Sequence, residues 1–376
     1  MSLPVLHLIG GGEMGGAERH VQNLLLNFDR QRITPFLGCL VSPSPLALKI
    51  RSEEIEAEIF PMRFPLDPGP IKSLLRYCRN KGIKLIHCHG LRANFLGRIT
   101  ARLLGLPSIS TIHSLPETDY LSPWKGRIAK IVDRSTLPLA SGLITVSNSI
   151  KEHVLKNLNQ RPIPLRTIYN GIEELDFSKK ETMRLEFRQK WGIDPEAKVL
   201  GTIGRLHPVK GQIYLIEAAK HLSIEFPNLH LLLIGSGPLK NQVEDLLLKY
   251  NLSYTLTGFL PDAWRALPAM DVFSLPSLNE GMGLVLLEAA QAEIPIVASR
   301  VGGIPELFTA DEEALLCRPA DSLSLALACS ALLKNQDLGN RLADKASKRS
   351  RLFKIDKMIQ ETSAFYSEIV GEQCSF

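Results

Sequence analysis

One pattern narrows the fold of this 376-residue chain before any composition is counted. Apolar runs alternate with amphipathic stretches along its whole length, and the series restarts midway. VLHLIG (residues 5–10) is an apolar run closed by glycine, the form of a strand buried on both faces. After a glycine-rich turn, Val21, Leu24, Leu25 and Phe28 recur at helical spacing. Further strands are expected at 35–41, 84–90, 108–114 and 142–147, with helices near 72–81, 92–104 and 125–139 between them. Strict alternation of β and α implies a parallel sheet with right-handed crossovers. KVLGTIGRL (198–206) begins the series again after a charged helix near 181–190, and strands follow at 229–237, 254–260, 272–277 and 295–303. The expected fold class is α/β, with two tandem Rossmann-like domains facing across a cleft. The domains are 1–170 and 171–353, with a hinge near 168–178. The amphipathic stretch within 354–376 is expected to cross back onto the first domain.

Composition excludes the alternatives to a globular protein. Hydrophobic residues make up 45% and charged residues 22%, with a mean hydropathy of +0.03, which rules out extended disorder and a coiled coil. No run of about 18 apolar residues occurs, and the first twenty residues lack a basic region and a cleavage site. Neither a spanning segment nor a secretory signal is therefore expected. Cys39, Cys78, Cys88, Cys317, Cys329 and Cys374 are scattered and form no CxxC pair, so a reducing cytoplasm fits better than a disulfide framework. The net charge of +5 is uneven. Residues 1–172 carry 22 basic and 12 acidic side chains, the remainder 22 and 27, so an anionic partner is expected on the first half.

In open α/β sheets ligands bind beyond the carboxyl ends of the strands, and the chemistry-bearing motifs fall there. In SLNEGMGLVLLEAAQ (277–291), Glu280 precedes a Gly-Met-Gly turn and Glu288 follows eight positions later on a new helix. The N–H groups near Met282, Gly283 and Leu284 at that helix start can hold an anion, and Gly281 and Gly283 let a phosphate approach the backbone. Glu280 and Glu288 are placed to accept from sugar and ribose hydroxyls. In GTIGRLHPVKG (201–211), Arg205 follows Gly204 and Lys210 comes five residues later, so two cations on one loop can clamp a diphosphate and stabilise charge on a leaving phosphate.

The first domain is less explicit. GGGEMGGAERHV (10–21) does not fit GxGxxG, so a dinucleotide fingerprint is weak, and Gly15-Gly16 reads as a flexible loop near the diphosphate or acceptor. Glu18 reads as a helix N-terminal acid. His113, where a strand meets the cleft, can donate to a sugar hydroxyl or help position the acceptor. His87 and His89 share a strand face, but no third ligand is visible at a useful spacing, so no metal is expected there. Asn170-Gly171 marks a turn at the hinge, and VGGIPEL (301–307) places Gly302-Gly303 and Glu306 beside the Glu280–Glu288 unit by topology.

Taken in order, GGAERHV, IYNGI, GRLHPVKG, LIGSGP, NEGMGLVLLEA and GGIPEL resemble glycosyltransferase family 4, the retaining nucleotide-sugar transferases of GT-B architecture, over nearly the whole chain. The resemblance implies that Arg205 and Lys210 hold the donor diphosphate, that Glu280 contacts the transferred sugar and that Glu288 contacts the ribose. It places Gly15 and Gly16 on the loop facing the diphosphate, His113 near the sugar, and the Thr257–Phe259 peptide, with Phe259, against the base. Two positions depart from the family pattern: Glu293 before the Pro of the PIVA strand, and Met282 where an aromatic is frequent. The implied reaction moves a hexosyl group to an acceptor hydroxyl with retained configuration, the leaving phosphate taking the acceptor proton. No cofactor is implied, and the co-substrate is a nucleoside diphosphate sugar, UDP favoured over GDP. No DxD motif is present, so activity is expected to survive EDTA.

The competing readings are a nucleotide-sugar 2-epimerase, which consumes donor without acceptor, a non-catalytic nucleotide-sugar-binding protein, and a dehydrogenase. Lys72, Arg76, Arg79, Lys81 and Lys84, with Lys125, Arg127, Lys130 and Arg134, make the first domain's helices basic, and Trp124, Ile128 and Ile131 add apolar contacts. These features suggest a cytoplasmic protein attached peripherally to anionic membrane, with a glycan or lipid-linked acceptor and no nucleic-acid partner.

Overall fold

The computed structural model describes residues 2–12, 14–115, 123–157 and 163–373; Cys374 and the rest of the C-terminus lie outside them, as does the Lys125 side chain. By their internal contacts, Met1–Gly171 together with Lys354–Phe376 form one unit and Ile172–Phe353 another.

The first unit contains β1 (Leu3–Ile9), β2 (Ile33–Cys39), β3 (Ala57–Ile59), β4 (Leu85–His89), β5 (Ser108–Ile112), β6 (Gly142–Thr145) and β7 (Leu165–Thr167). They form one sheet in the order β3-β2-β1-β4-β5-β6-β7, and every pairing is parallel. The second unit contains β8 (Lys198–Ile203), β9 (Leu229–Ile234), β10 (Ser253–Leu256), β11 (Val272–Leu275), β12 (Ile296–Ser299) and β13 (Leu315–Cys317). Its sheet runs β10-β9-β8-β11-β12-β13, again parallel throughout. The chain is thus α/β with two Rossmann-like sheets. Three short strands, β3, β7 and β13, escape the sequence pattern because each is three residues long at a sheet edge, too short to show a period.

The central strands are apolar because helices cover both faces. In the first unit, Val5, Leu85, Ile109 and Ile144 on one face pack with Leu24 and Phe28. The same cluster takes in Ile355, Met358, Phe365, Tyr366 and Ile369 of the last helix, Ile355–Gln373, which returns to this unit as its amphipathic spacing suggested. The fit is close: a Cβ on Gly142 of β6 would stand 2.9 Å from the Phe365 ring, and one on Gly171 would stand 2.5 Å from the Ile355 backbone. Leu6, Leu8, Ile86 and Cys88 form the opposite face and pack with Leu96 of the helix Leu91–Leu104. The second unit builds its core from Leu200, Leu215, Leu231, Leu233, Val272 and Val297. All five described cysteines are free and buried.

Candidate functional site

In the second unit, β8 lies between β9 and β11, so the chain leaves it towards one side of the sheet and later returns on the other. The loops that follow β8 and β11 therefore part at the topological switch point, where such sheets bind ligands. The loop after β8 carries Arg205, which is exposed, and the short 3-10 turn Pro208–Lys210. Gly211 then leads into the helix Gln212–Glu225.

Backbone contacts fix that loop against its neighbours. Leu278 N donates to Val209 O at 2.7 Å. Gly211 has φ +66°, and a Cβ there would lie 2.0 Å from Pro276 O, so the two loops touch at the backbone. From the far side, Gly302 has φ +52°, and its Cβ would lie 1.8 Å from Glu280 O. Gly303 N donates to that same carbonyl at 3.2 Å. Only glycine accommodates both the left-handed conformation and the close approach.

Held in this way, Lys210 Nζ donates to Glu280 Oε2 at 2.6 Å, and Ser277 Oγ donates to the same oxygen at 3.1 Å. The ion pair is mostly shielded, with side-chain exposures of 25% and 12%. Gly281, Met282, Gly283 and Leu284 are buried beneath the turn, and Met282, at 2% exposure, fills space in the core rather than extending into solvent. Gly283 is the N-cap of the helix Leu284–Gln291 and provides no side-chain cap; Leu286 N donates to Gly283 O at 2.9 Å, which leaves the Leu284 and Val285 N–H groups, at the positive end of the helix dipole, to face an anion. Glu288, one residue past the first turn, is 1% exposed. Sequence reasoning singled out Lys210, Glu280 and Glu288 and missed Ser277, whose type at a strand end carries no distinguishing signal. Phe259 is exposed on the loop after β10, while its neighbour Gly258 accepts from Gly235 N at 2.9 Å.

In the first unit, Gly15 is the N-cap of the helix Gly16–Asn27, and Glu18 reaches back so that its Oε2 accepts from Gly15 N at 3.2 Å. This is the N-terminal helix acid expected of Glu18. His113, just past β5, belongs to a larger group of histidines. The parallel register sets His7 of β1 opposite His87 of β4 and Thr111 of β5 opposite His89. His7 Nδ1 and His89 Nε2 are 3.3 Å apart, and His89 Nδ1 and His113 Nε2 are 3.1 Å apart. His87 bonds through Nδ1 to Tyr366 Oη at 2.5 Å and through Nε2 to Thr111 Oγ1 at 2.7 Å. Tyr366 Oη lies 3.5 Å from His7 Nε2. His20 meets His113 edge-on, with ring centroids 4.7 Å apart.

Burial holds these rings neutral. His7 is pushed down to about 3, with the nearby His20 adding to the effect, and burial lowers His20 to about 4. His87, His89 and His113 are held well below the usual histidine value, first by burial and then by neighbouring histidines. Two sets, His7/His87/His89 and His20/His89/His113, bring nitrogens within 4.8 Å of one another. The third nitrogen that the HxH spacing did not show comes from other elements, through strand register and the helix Gly16–Asn27.

Comparison with known proteins gives this geometry a family. Residues 183–349 match the family model of glycosyl transferases group 1, and residues 14–174 match that of Glycosyltransferase Family 4. The chain belongs to glycosyltransferase family 4. This family-4 chain is 30% identical over 247 residues, 63% of each protein, to the Escherichia coli UDP-Gal:alpha-D-GlcNAc-diphosphoundecaprenol alpha-1,3-galactosyltransferase. It is 26% identical over 398 residues to the D-inositol 3-phosphate glycosyltransferase of Corynebacterium jeikeium, covering 96% of this chain and 93% of that one. The Anabaena protein HepE, solved in complex with UDP and glucose, superposes with a TM-score of 0.84 at 21% identity, over 97% of this chain and all of that one. Its fold, like that of this family-4 chain, is GT-B.

Proposed function

We propose that this glycosyltransferase moves a hexosyl group from a nucleoside diphosphate sugar to an acceptor hydroxyl with retention of anomeric configuration and without a metal cofactor. The observation that carries the reading is the Lys210–Glu280–Ser277 contact at the switch point of the second sheet, beside an uncapped helix N-terminus. Lys210 and Arg205 neutralise the diphosphate, the N-terminal N–H groups of Leu284–Gln291 hold a phosphate, and Glu288 takes the ribose hydroxyls. The carboxylate of Glu280, steadied by Lys210 and Ser277, accepts from the sugar, and the Thr257–Phe259 peptide meets the base. Gly15 and Gly16 line the diphosphate side of the first unit, with His113 at the sugar.

The C–O bond to the leaving phosphate breaks as the acceptor oxygen bonds to the same face of the anomeric carbon. The acceptor proton passes to a phosphate oxygen. With Oε2 of Glu280 committed to an ammonium and a hydroxyl, this front-face route is favoured over a covalent intermediate. The UDP-Gal in the name of the Escherichia coli relative and the UDP in the HepE complex support a UDP-sugar donor.

Thermal shifts across UDP-, GDP- and ADP-sugars test the donor, because a ligand at 100 times its Kd stabilises by about 2.7 kcal/mol. Turnover is then measured with and without acceptor and with EDTA. Donor consumption without acceptor would favour a 2-epimerase, and loss of activity in EDTA would overturn metal independence.

We also propose that the first unit docks on anionic membrane, where the acceptor is a lipid-linked or envelope glycan. Along the helix Pro123–Thr136, Trp124 is 60% exposed, Ile128 43% and Ile131 66%, beside the exposed Arg127 and Arg134. Apolar residues next to cations suit an interfacial surface. Among the described residues no helix is long and apolar enough to cross a membrane. Co-sedimentation with vesicles containing phosphatidylglycerol should fall with salt and with Trp124→Ala/Ile131→Ala; absence of binding at low salt would end the proposal.

A further inference from the structure

Five hydrogen-bond contacts join Thr111, His87, Tyr366, His7, His89 and His113 into one line within the first unit. Each link needs one proton. A neutral imidazole has one N–H and one lone pair, so along His7, His89 and His113 the direction chosen at one link fixes the tautomer at the others, and the Tyr366 hydroxyl, with one proton to give, sets the direction at its two sides. The line contacts only Nε2 of His113, so it decides whether Nδ1 of that ring accepts or donates. Tyr366 sits mid-line, and its two distances differ: 2.5 Å to His87 Nδ1 and 3.5 Å to His7 Nε2. A phenol is a better donor than acceptor. The short contact is therefore O–H donating to His87, and the long one is His7 Nε2–H donating to the phenol oxygen. His7 Nδ1 then carries a lone pair and accepts from His89 Nε2–H, and His89 Nδ1 accepts from His113 Nε2–H.

We infer that Tyr366, on the C-terminal helix, is a positioning residue that holds His113 as its Nε2–H tautomer and so presents Nδ1 as an acceptor for a substrate hydroxyl. Its consequence for turnover rests on the placement of His113 at the sugar proposed above. The His113 ring is thus a receiver of hydroxyl hydrogen bonds, suited to a polyol rather than to a carbonyl or an anion. The arrangement also accounts for why the last nineteen-residue helix, Ile355–Gln373, brings a phenol into an otherwise apolar contact with the sheet.

The test is long-range ¹H–¹⁵N correlation NMR on the full chain labelled at histidine, together with kinetics. In the native chain His7, His87, His89 and His113 are all expected as Nε2–H tautomers. Tyr366→Phe leaves His7 with a buried N–H and no acceptor, a state proteins avoid more strictly than an orphaned acceptor. The protons then reverse, and His7, His89 and His113 become Nδ1–H tautomers. With a nucleotide sugar, kcat falls about tenfold, the equivalent of one neutral hydrogen bond, while KM stays within about twofold.

An Nδ1–H tautomer at His113 in the native chain would overturn the inference, as would an unmoved His113 signal in Tyr366→Phe. Stoichiometric zinc on the purified chain would also overturn it, because His89 Nδ1 and His113 Nε2 would both turn lone pairs to the ion. Should the tautomers switch as described while His113→Ala retains full turnover, the line stands and the placement of His113 at the sugar fails.

Discussion

Under the proposed function, the Lys210–Glu280 contact both organises the site and commits its chemistry. Seventy residues separate them, yet the ammonium and carboxylate meet at 2.6 Å with Ser277 on the same oxygen. Lys210→Met is expected to lower kcat by about 10²–10³, the usual effect of removing a donor aimed at developing charge. The fold should survive, since the position is partly exposed; steady-state kinetics beside a thermal melt would check both. A second charge pair has the opposite character. Arg98 is fully buried and donates to Asp133 Oδ1 at 2.8 Å and to Ser110 and Thr136. Asp133→Ala strands that guanidinium and should cost about 3–5 kcal/mol in denaturant unfolding, with no specific effect on the proposed donor site of the other unit. Both cations read alike in sequence. Only burial separates a working charge from a structural one.

At the scale of elements, the site is made by turns pressed together. The glycine at 302 lies in the turn after β12, far along the chain from Lys210, and contributes no side chain. Even so, a methyl group there meets Glu280 O at 1.8 Å on a backbone with φ +52°. Gly302→Ala should displace the Glu280 carbonyl and carboxylate and cost about 1–2 kcal/mol for the left-handed conformation alone. The expected signature is a loss of turnover out of proportion to the loss of stability, and Gly303→Ala, at φ −81°, is the milder control. Much of this was legible beforehand: the strand ends, the E-x7-E spacing and the GR-x4-K loop all follow from local order along the chain. Ser277 and the Val209–Leu278 bond were not, because neither leaves a period or a motif.

For the whole molecule, the two units should respond differently to acid. Five histidines of the first unit are held below their unfolded value of 6.5, His7 at about 3 and His20 at about 4. The unfolded chain therefore binds more protons than the folded one below about pH 6.5. Stability is full above that pH and is lost as pH falls towards 4, by up to about 1.4 kcal/mol per pH unit for each histidine. In the second unit, His230 is the described histidine held below its usual value, by burial first. Thermal melts from pH 7.5 to 4.5 should split into two transitions, the acid-labile one assigned to the first unit by hydrogen exchange; a single transition with flat pH dependence would contradict this.

By itself the sequence determined what depends on near neighbours: the β/α alternation, the restart near residue 198, the amphipathic last helix and the motif loops at strand ends. Hydrophobic period and glycine placement are local properties, so they can be read along a line. Strand register and helix docking are not, and they alone set His7 opposite His87, brought His89 to His113 and placed Tyr366 among them. A hydrogen bond forms across about 3 Å of space whatever the distance along the chain, and that is why the histidine line belongs to the tertiary structure.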